Sequence, residues 1–245
     1  MLSGPEAAVS DVGLEIISEP VPPEVSPCSP CSVALYPIRP ISSELKPKRV
    51  LSVCDGLGTG RLCLENLRIC MAEYFSSEVD QKAIDLLRYH YHDKITLLGC
   101  VKGITNAVLE CIGPIDLLLG GPPCNELSRA NPNRKHFANG SSARLIFDIE
   151  RIMKYLRAAA EKHNRPFFWF CESTDNMDNA DKMTINTALE CSSVVRCLSR
   201  HTCMPRKRQF WGNIPGLMDP LEEVEPPPLN FKISWFLGSQ LHQIQ

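Results

Sequence analysis

The sequence predicts an α/β domain built on a largely parallel sheet with helices on both faces. Three observations predict it. From residue 49 onward, short apolar runs of strand length alternate with helical patterns in strict order. Two of those runs stop at glycine-rich turns, Asp55-Gly56-Leu57-Gly58-Thr59-Gly60 and Gly120-Gly121-Pro122-Pro123. The chain of 245 residues is long enough for one domain of fair size, and 44% hydrophobic with 22% charged residues is ordinary globular composition.

Residues 1–47 are rich in Pro, Ser and Glu without periodicity and read as a linker or tail, closing on the basic Lys46-Pro47-Lys48-Arg49. Residues 49–54 form the first expected strand. A helix over 61–70 follows, with Leu62, Leu64 and Leu67 as its apolar face. Residues 73–79 read as a second strand and 80–89 as a helix capped by Asp80. A third strand is expected over 94–98, a short helix over 106–111, and the clearest buried strand over 115–119. Leu145, Ile149, Ile152, Met153 and Leu156 share one helix face. Residues 167–171 make another buried strand, delivering Glu172 at its C-terminal end. Arg206 and Arg208 alternate on one face of a further strand leading into Phe210-Trp211, and past residue 215 the signal fades.

The formal net charge of −2 gives no global attraction to nucleic acid, so any such contact needs a local basic cluster such as Arg206-Lys207-Arg208. No signal-peptide pattern opens the chain and no apolar stretch approaches the ~20 residues that span a bilayer. A soluble protein of the cytosol or nucleus, without membrane contact, is the expectation. Of the 12 cysteines, Cys54, Cys63, Cys70, Cys111 and Cys171 lie in apolar runs and read as small core residues of a reduced protein. Cys28 and Cys31 have zinc-like spacing, but no second pair completes four ligands, so no metal is expected.

Glycines in the 55–60 turn let the backbone approach a ligand at the carboxyl edge of the sheet. Glu78, at the end of the second strand, is placed to bond a ribose hydroxyl. The loop lacks the Lys-Ser/Thr ending of a phosphate loop, which favours an adenosine ligand without a phosphate chain and leaves NAD open. In Gly120-Gly121-Pro122-Pro123-Cys124-Asn125, two prolines fix the direction in which Cys124 is presented. A thiolate there is a strong nucleophile, whereas the bland reading is a proline turn with an incidental cysteine. Glu172 emerges from an apolar run, where a carboxyl tends to hold its proton and act as an acid; a capping carboxylate is the alternative.

Together and in order, these residues resemble the DNA cytosine-5 methyltransferases, most of all the animal de novo type. Residues 49–60 look like that family's cofactor motif, Ser77-Glu78-Val79 like its ribose motif, and Gly120 to Ser128 like its Pro-Cys catalytic loop. Asn131-Pro132, Arg134-Lys135, residues 165–169 and residues 206–216, with their Arg-x-Arg pattern, continue the likeness across about residues 34–216. The resemblance implies a Rossmann-like S-adenosylmethionine-dependent methyltransferase fold. It implies DNA as substrate, a nuclear location and a role in epigenetic DNA methylation. It assigns Cys124, Glu172, Arg206 and Arg208 to catalysis. It assigns Cys54, Asp55, Gly56, Leu57, Thr59, Glu78, Val79, Cys100, Val101 and Pro123 to S-adenosylmethionine. In that chemistry the target cytosine leaves the duplex, Cys124 attacks C6, and Glu172 binds or protonates N3.

Three departures stand against it. Cys100 occupies the place of an adenine-contacting Asp, and Glu172 is followed by Ser173 where the family has an Asn that supports the Pro-Cys loop. After Gly216, no pattern of a target-recognition region or final motif follows, so 48–245 is expected to be a catalytic core without them. These departures keep open a non-catalytic relative that pairs with an active DNA methyltransferase as a homo- or hetero-oligomer. An RNA cytosine methyltransferase is a weaker alternative.

Overall fold

The computed structural model describes residues 46, 48–197 and 206–220. The expected tail and the Cys28/Cys31 pair lie outside them. Strands β1 (Lys48–Val53), β2 (Met71–Ser77), β3 (Thr96–Leu97), β4 (Leu117–Gly120), β5 (Phe168–Thr174), β6 (Val194–Cys197) and β7 (Lys207–Gly212) form one sheet in the order β3-β2-β1-β4-β5-β7-β6. Pairs β1–β2, β1–β4, β2–β3 and β4–β5 are parallel, while β7 runs against both β5 and β6. The expected α/β architecture holds: each parallel step is a crossover through a helix. After β3 the chain returns to the other side of β1, so the sheet's order reverses between β1 and β4. Ligands of open α/β sheets gather outside the carboxyl ends of the strands at such a point.

The helices are α1 (Thr59–Asn66), α2 (Gln81–Tyr91), α3 (Asn106–Ile112), α4 (Leu145–Lys162) and α5 (Asn179–Leu189). In α4, Ile149, Ile152, Met153 and Leu156 are buried as their spacing predicts, with Leu145 packed partly against them. They join Leu51, Val53, Phe75, Leu118, Trp169, Cys171 and the fully buried Trp211 in the main core. A smaller core on the other face holds Val50, Leu64 and Tyr74. Asp80 caps α2, accepting from the N–H groups of Lys82 and Ala83.

Four expectations shift. Helix α1 buries Arg61 and Leu64, leaving Leu62 and Leu67 exposed. The reason is Arg61: its guanidinium sits 5.3 Å from the Tyr74 ring and 5.2 Å from the Tyr91 ring, and it donates to Lys94 O, so that side of the helix turns inward. Cys63, Cys70 and Cys111 are exposed rather than core residues, because Cys63 and Cys111 ride on short helices that bury other positions and Cys70 precedes β2; Cys54 and Cys171 are half-buried and buried. Third, β3 pairs over two residues only. Finally, β5 runs on to Thr174, so Glu172 stands inside a strand and not at its end. Helix α5 and β6 had no counterpart among the elements expected from sequence.

Candidate active site

Both glycine-rich turns arrive at the β1/β4 reversal. They are tied there by one backbone bond, Gly121 N to Val53 O at 3.3 Å. In the first turn Cys54 takes a left-handed backbone (φ 54), followed by Gly56 at φ 57 and Gly58 at φ 73. Gly58 is required twice over. A Cβ there would lie 2.6 Å from Leu87 Cδ2 and 2.8 Å from Tyr91 Cε2, besides the positive φ. Gly56, by contrast, faces open space: a Cβ added to it would meet no heavy atom within 4 Å.

Asp55 points back into the protein. Its carboxylate accepts from Ser52 Oγ at 2.6 Å, Tyr74 OH at 3.0 Å and Ser76 Oγ at 2.7 Å, and the residue is buried. Any ligand contact from Asp55 would therefore use its backbone. Glu78 braces the same turn: Oε2 accepts from Gly56 N at 2.7 Å, and Oε1 from Val79 N and Asp80 N at 2.7 and 2.9 Å. Leu57 and Val79 stand 55% and 68% exposed beside it, and Thr59 is exposed. Across β2 and β3, Cys100 is exposed at the start of a single 3-10 turn over Val101–Gly103, and Val101 is buried beneath it. Burial, with the Glu78 charge adding to it, pushes the Cys54 thiol up to about 12, so Cys54 stays a protonated wall of the site.

In the second turn Pro122 is buried, Pro123 exposed and Cys124 half-buried. Cys124 O accepts from Leu127 N at 3.1 Å and Ser128 N at 2.9 Å, and the buried Leu127 anchors this turn to the core. Glu172, rather than standing alone in an apolar setting, has a cationic partner. Arg208 Nε lies 2.6 Å from Glu172 Oε1, because antiparallel pairing sets Glu172 opposite Phe210 and Thr174 opposite Arg208. Arg206 is exposed and precedes β7, so it does not share a strand face with Arg208.

A third group of residues carries no signal in the sequence. Asp178 accepts from Arg129 Nε at 2.8 Å and Arg134 Nη2 at 2.9 Å, and Asp181 meets His136 Nδ1 at 2.7 Å. Those bonds, led by the one from Arg129, hold the Asp178 carboxyl below its usual range. Ligand atoms of His136, Asp178 and Asp181 lie within 4.8 Å of one another. Asp178 commits both oxygens to guanidinium groups, which makes the cluster an ion-pair network rather than a cation site. No local pattern in the sequence ties Asp178 and Asp181 to partners some 45 residues away.

The C-5 cytosine-specific DNA methylase family matches residues 48–189, the stretch that carries both turns and Glu172. The chain is 28% identical over 138 residues to the DNA (cytosine-5)-methyltransferase DRM1 of Arabidopsis thaliana, covering 50% of this chain and 22% of that protein. It is 29% identical over 112 residues to DRM1A of Oryza sativa subsp. japonica, covering 42% of this chain and 24% of the other. The chain thus spans about a quarter or less of the length of these curated relatives.

Proposed function

This chain belongs to the C-5 cytosine-specific DNA methylase family, and we propose that it transfers a methyl group from S-adenosylmethionine to C5 of cytosine in DNA, with Cys124 as nucleophile. The observation that carries the reading is the convergence at one strand reversal of a ligand-ready glycine turn and a proline-presented cysteine. S-adenosylmethionine fits what surrounds the first turn. Gly56 leaves room for a close backbone approach, Glu78 offers a carboxylate to a ribose, and Leu57 and Val79 offer apolar surface to an adenine. Cys54, Asp55, Thr59, Cys100, Val101 and Pro123 complete the proposed binding set. When bound, the cofactor supplies an electrophilic methyl group.

Cys124 Sγ, as thiolate, attacks C6 of a cytosine turned out of its stack, at a cost of a few kcal/mol in unstacking. Glu172 binds or protonates N3, drawing electron density so that C5 becomes nucleophilic. Arg208 holds the Glu172 carboxylate in place at 2.6 Å, and Arg206, beside it, is assigned to the nucleotide. Loss of the C5 proton then expels Cys124. Within the family, the wording of residues 120–128 and 206–216 favours the animal de novo type, which implies a nuclear protein acting on unmethylated DNA.

Two observations favour a second reading, a non-catalytic partner of an active methyltransferase. The Ser173 hydroxyl, next to Glu172, is buried without a hydrogen-bond partner, and Cys100 puts a thiol where the family has a carboxylate. Labelled methyl transfer to unmethylated DNA by this chain and by Cys124→Ser decides. Transfer lost in the variant supports the enzyme. Transfer by neither protein, with both folded, overturns it and leaves the partner reading.

A further inference from the structure

We propose that Asp178 and Asp181 are positioning residues that hold the Cys124 loop in register with Glu172. This rests on the reading of Cys124 as nucleophile. After Cys124 the chain runs without helix or strand as far as Ser141, where the turn that starts α4 begins. Its own bonds are local: His136 N to Glu126 O, Lys135 N to Glu126 Oε2, and Asn131 Nδ2 to Asn125 O. Such bonds shape the loop but do not fix it to the sheet.

Leu127 packs the loop onto the core, and its polar attachment comes from the opposite side, from the segment that continues β5 beyond Glu172. Arg129 N donates to Asn176 O at 2.8 Å; Asp178 takes Arg129 and Arg134; Asp181 takes His136. The Cys124 loop and the Glu172 strand are thereby bound to each other through four bonds close in sequence to both groups.

Two independent features mark this as more than incidental surface pairing. Asp178 occupies the N-cap of α5, where an aspartate ordinarily accepts from its own helix; here it makes no cap bond and turns both oxygens to the loop. Asp181 is buried at 7% side-chain exposure, and its partner His136 sits in a left-handed backbone at φ 49, an uncommon conformation for a non-glycine residue. The Ser173 hydroxyl lacks any partner, so the loop gains no support from the residue next to Glu172.

The test is amide hydrogen exchange of the folded full chain, with alkylation of Cys124 by iodoacetamide followed by mass spectrometry. Asp178→Asn leaves a side chain of the same size at the start of α5 but removes the charge. The expected result is exchange faster by about tenfold or more across 125–136, with 183–189 unchanged, and an altered Cys124 alkylation rate. Methyl transfer should fall by about tenfold or more in kcat with the KM for cofactor unchanged, since misplacement acts on the reacting geometry. Asp178→Glu should restore part of both. If Asp178→Asn does not fold, Arg129→Met with Arg134→Met removes the same bonds from the loop side and must give the same exchange pattern. Unchanged exchange over 125–136 in these variants overturns the proposal. Because exchange and alkylation need no turnover, a wild-type chain without methyl transfer would overturn the enzymatic reading and leave the loop attachment still measured.

Discussion

Asp55→Ala is the sharpest perturbation of the glycine turn, because the structure makes its cost calculable. The carboxylate receives three hydroxyl hydrogen bonds, from Ser52, Tyr74 and Ser76, and those residues are 4%, 1% and 0% exposed. Removing it deprives three buried hydroxyls of their carboxylate acceptor, at about 1–2 kcal/mol each. Relief of the carboxylate's own desolvation returns on the order of 1–2 kcal/mol. A net loss of about 3 kcal/mol is expected, a large share of the ~5–15 kcal/mol of a typical domain. Urea unfolding followed by tryptophan fluorescence reads it, since Trp211 is fully buried and Trp169 nearly so. Ser76→Ala alone should cost about 1 kcal/mol, but close to nothing once Asp55 is already Ala. Additive losses, or an Asp55→Ala variant within ~0.5 kcal/mol of the parent, would refute the reasoning and return Asp55 to the solvent side of the turn.

Other outcomes follow from the same geometry. Gly58→Ala should destabilise by about 2–3 kcal/mol in urea, since the added methyl meets Leu87 and Tyr91 and the backbone is at φ 73. Arg208→Ala should lower methyl transfer by roughly 100-fold while changing stability by less than about 1 kcal/mol, because the Glu172 pair is only partly buried. Alkylation at pH 8 should label the exposed Cys63, Cys70 and Cys111 well before Cys54, whose thiol is pushed up to about 12. Stability should also fall as pH rises above 9. Burial raises the folded-state values of Cys54, Cys171 and Tyr74, so between the ordinary and raised values the unfolded chain has fewer bound protons than the folded one. Each group then loses about 1.4 kcal/mol per pH unit in that window; urea midpoints at pH 8 and pH 10.5 measure the drop, and Cys171→Ala should make it shallower.

The parallel half of the fold was legible because buried strands and the α4 stripe write their packing directly into sequence period. Asp80 was readable as a cap because the bond is local. Helix α1 misled because its burial is decided by Arg61, whose place between two tyrosines depends on β2 and α2. Helix α5 escaped notice: of its eleven residues, the buried Asp181, Ile185, Ala188 and Leu189 include an acid and a small residue that blur the apolar stripe. At the candidate site, residue types and turn chemistry placed Cys124 and the glycine turn at the sheet's edge. The inward turn of Asp55, the Arg208 partner of Glu172 and the Asp178 network depend on contacts across 19 to 49 residues, which no local pattern encodes.

The reversed direction of β7 has a consequence for traffic along the chain. Because β7 runs against β5, its first residues meet the end of β5, and Arg208 reaches Glu172 at the outset of the strand. Run parallel, the same residues would begin beside Phe168, about 13 Å from Glu172 at ~3.3 Å per residue. The reversal also sends the backbone off at the floor of the sheet, where Asn213 clasps Trp169 N and Phe167 O. One strand thus uncouples where a side chain is delivered from where the polypeptide departs.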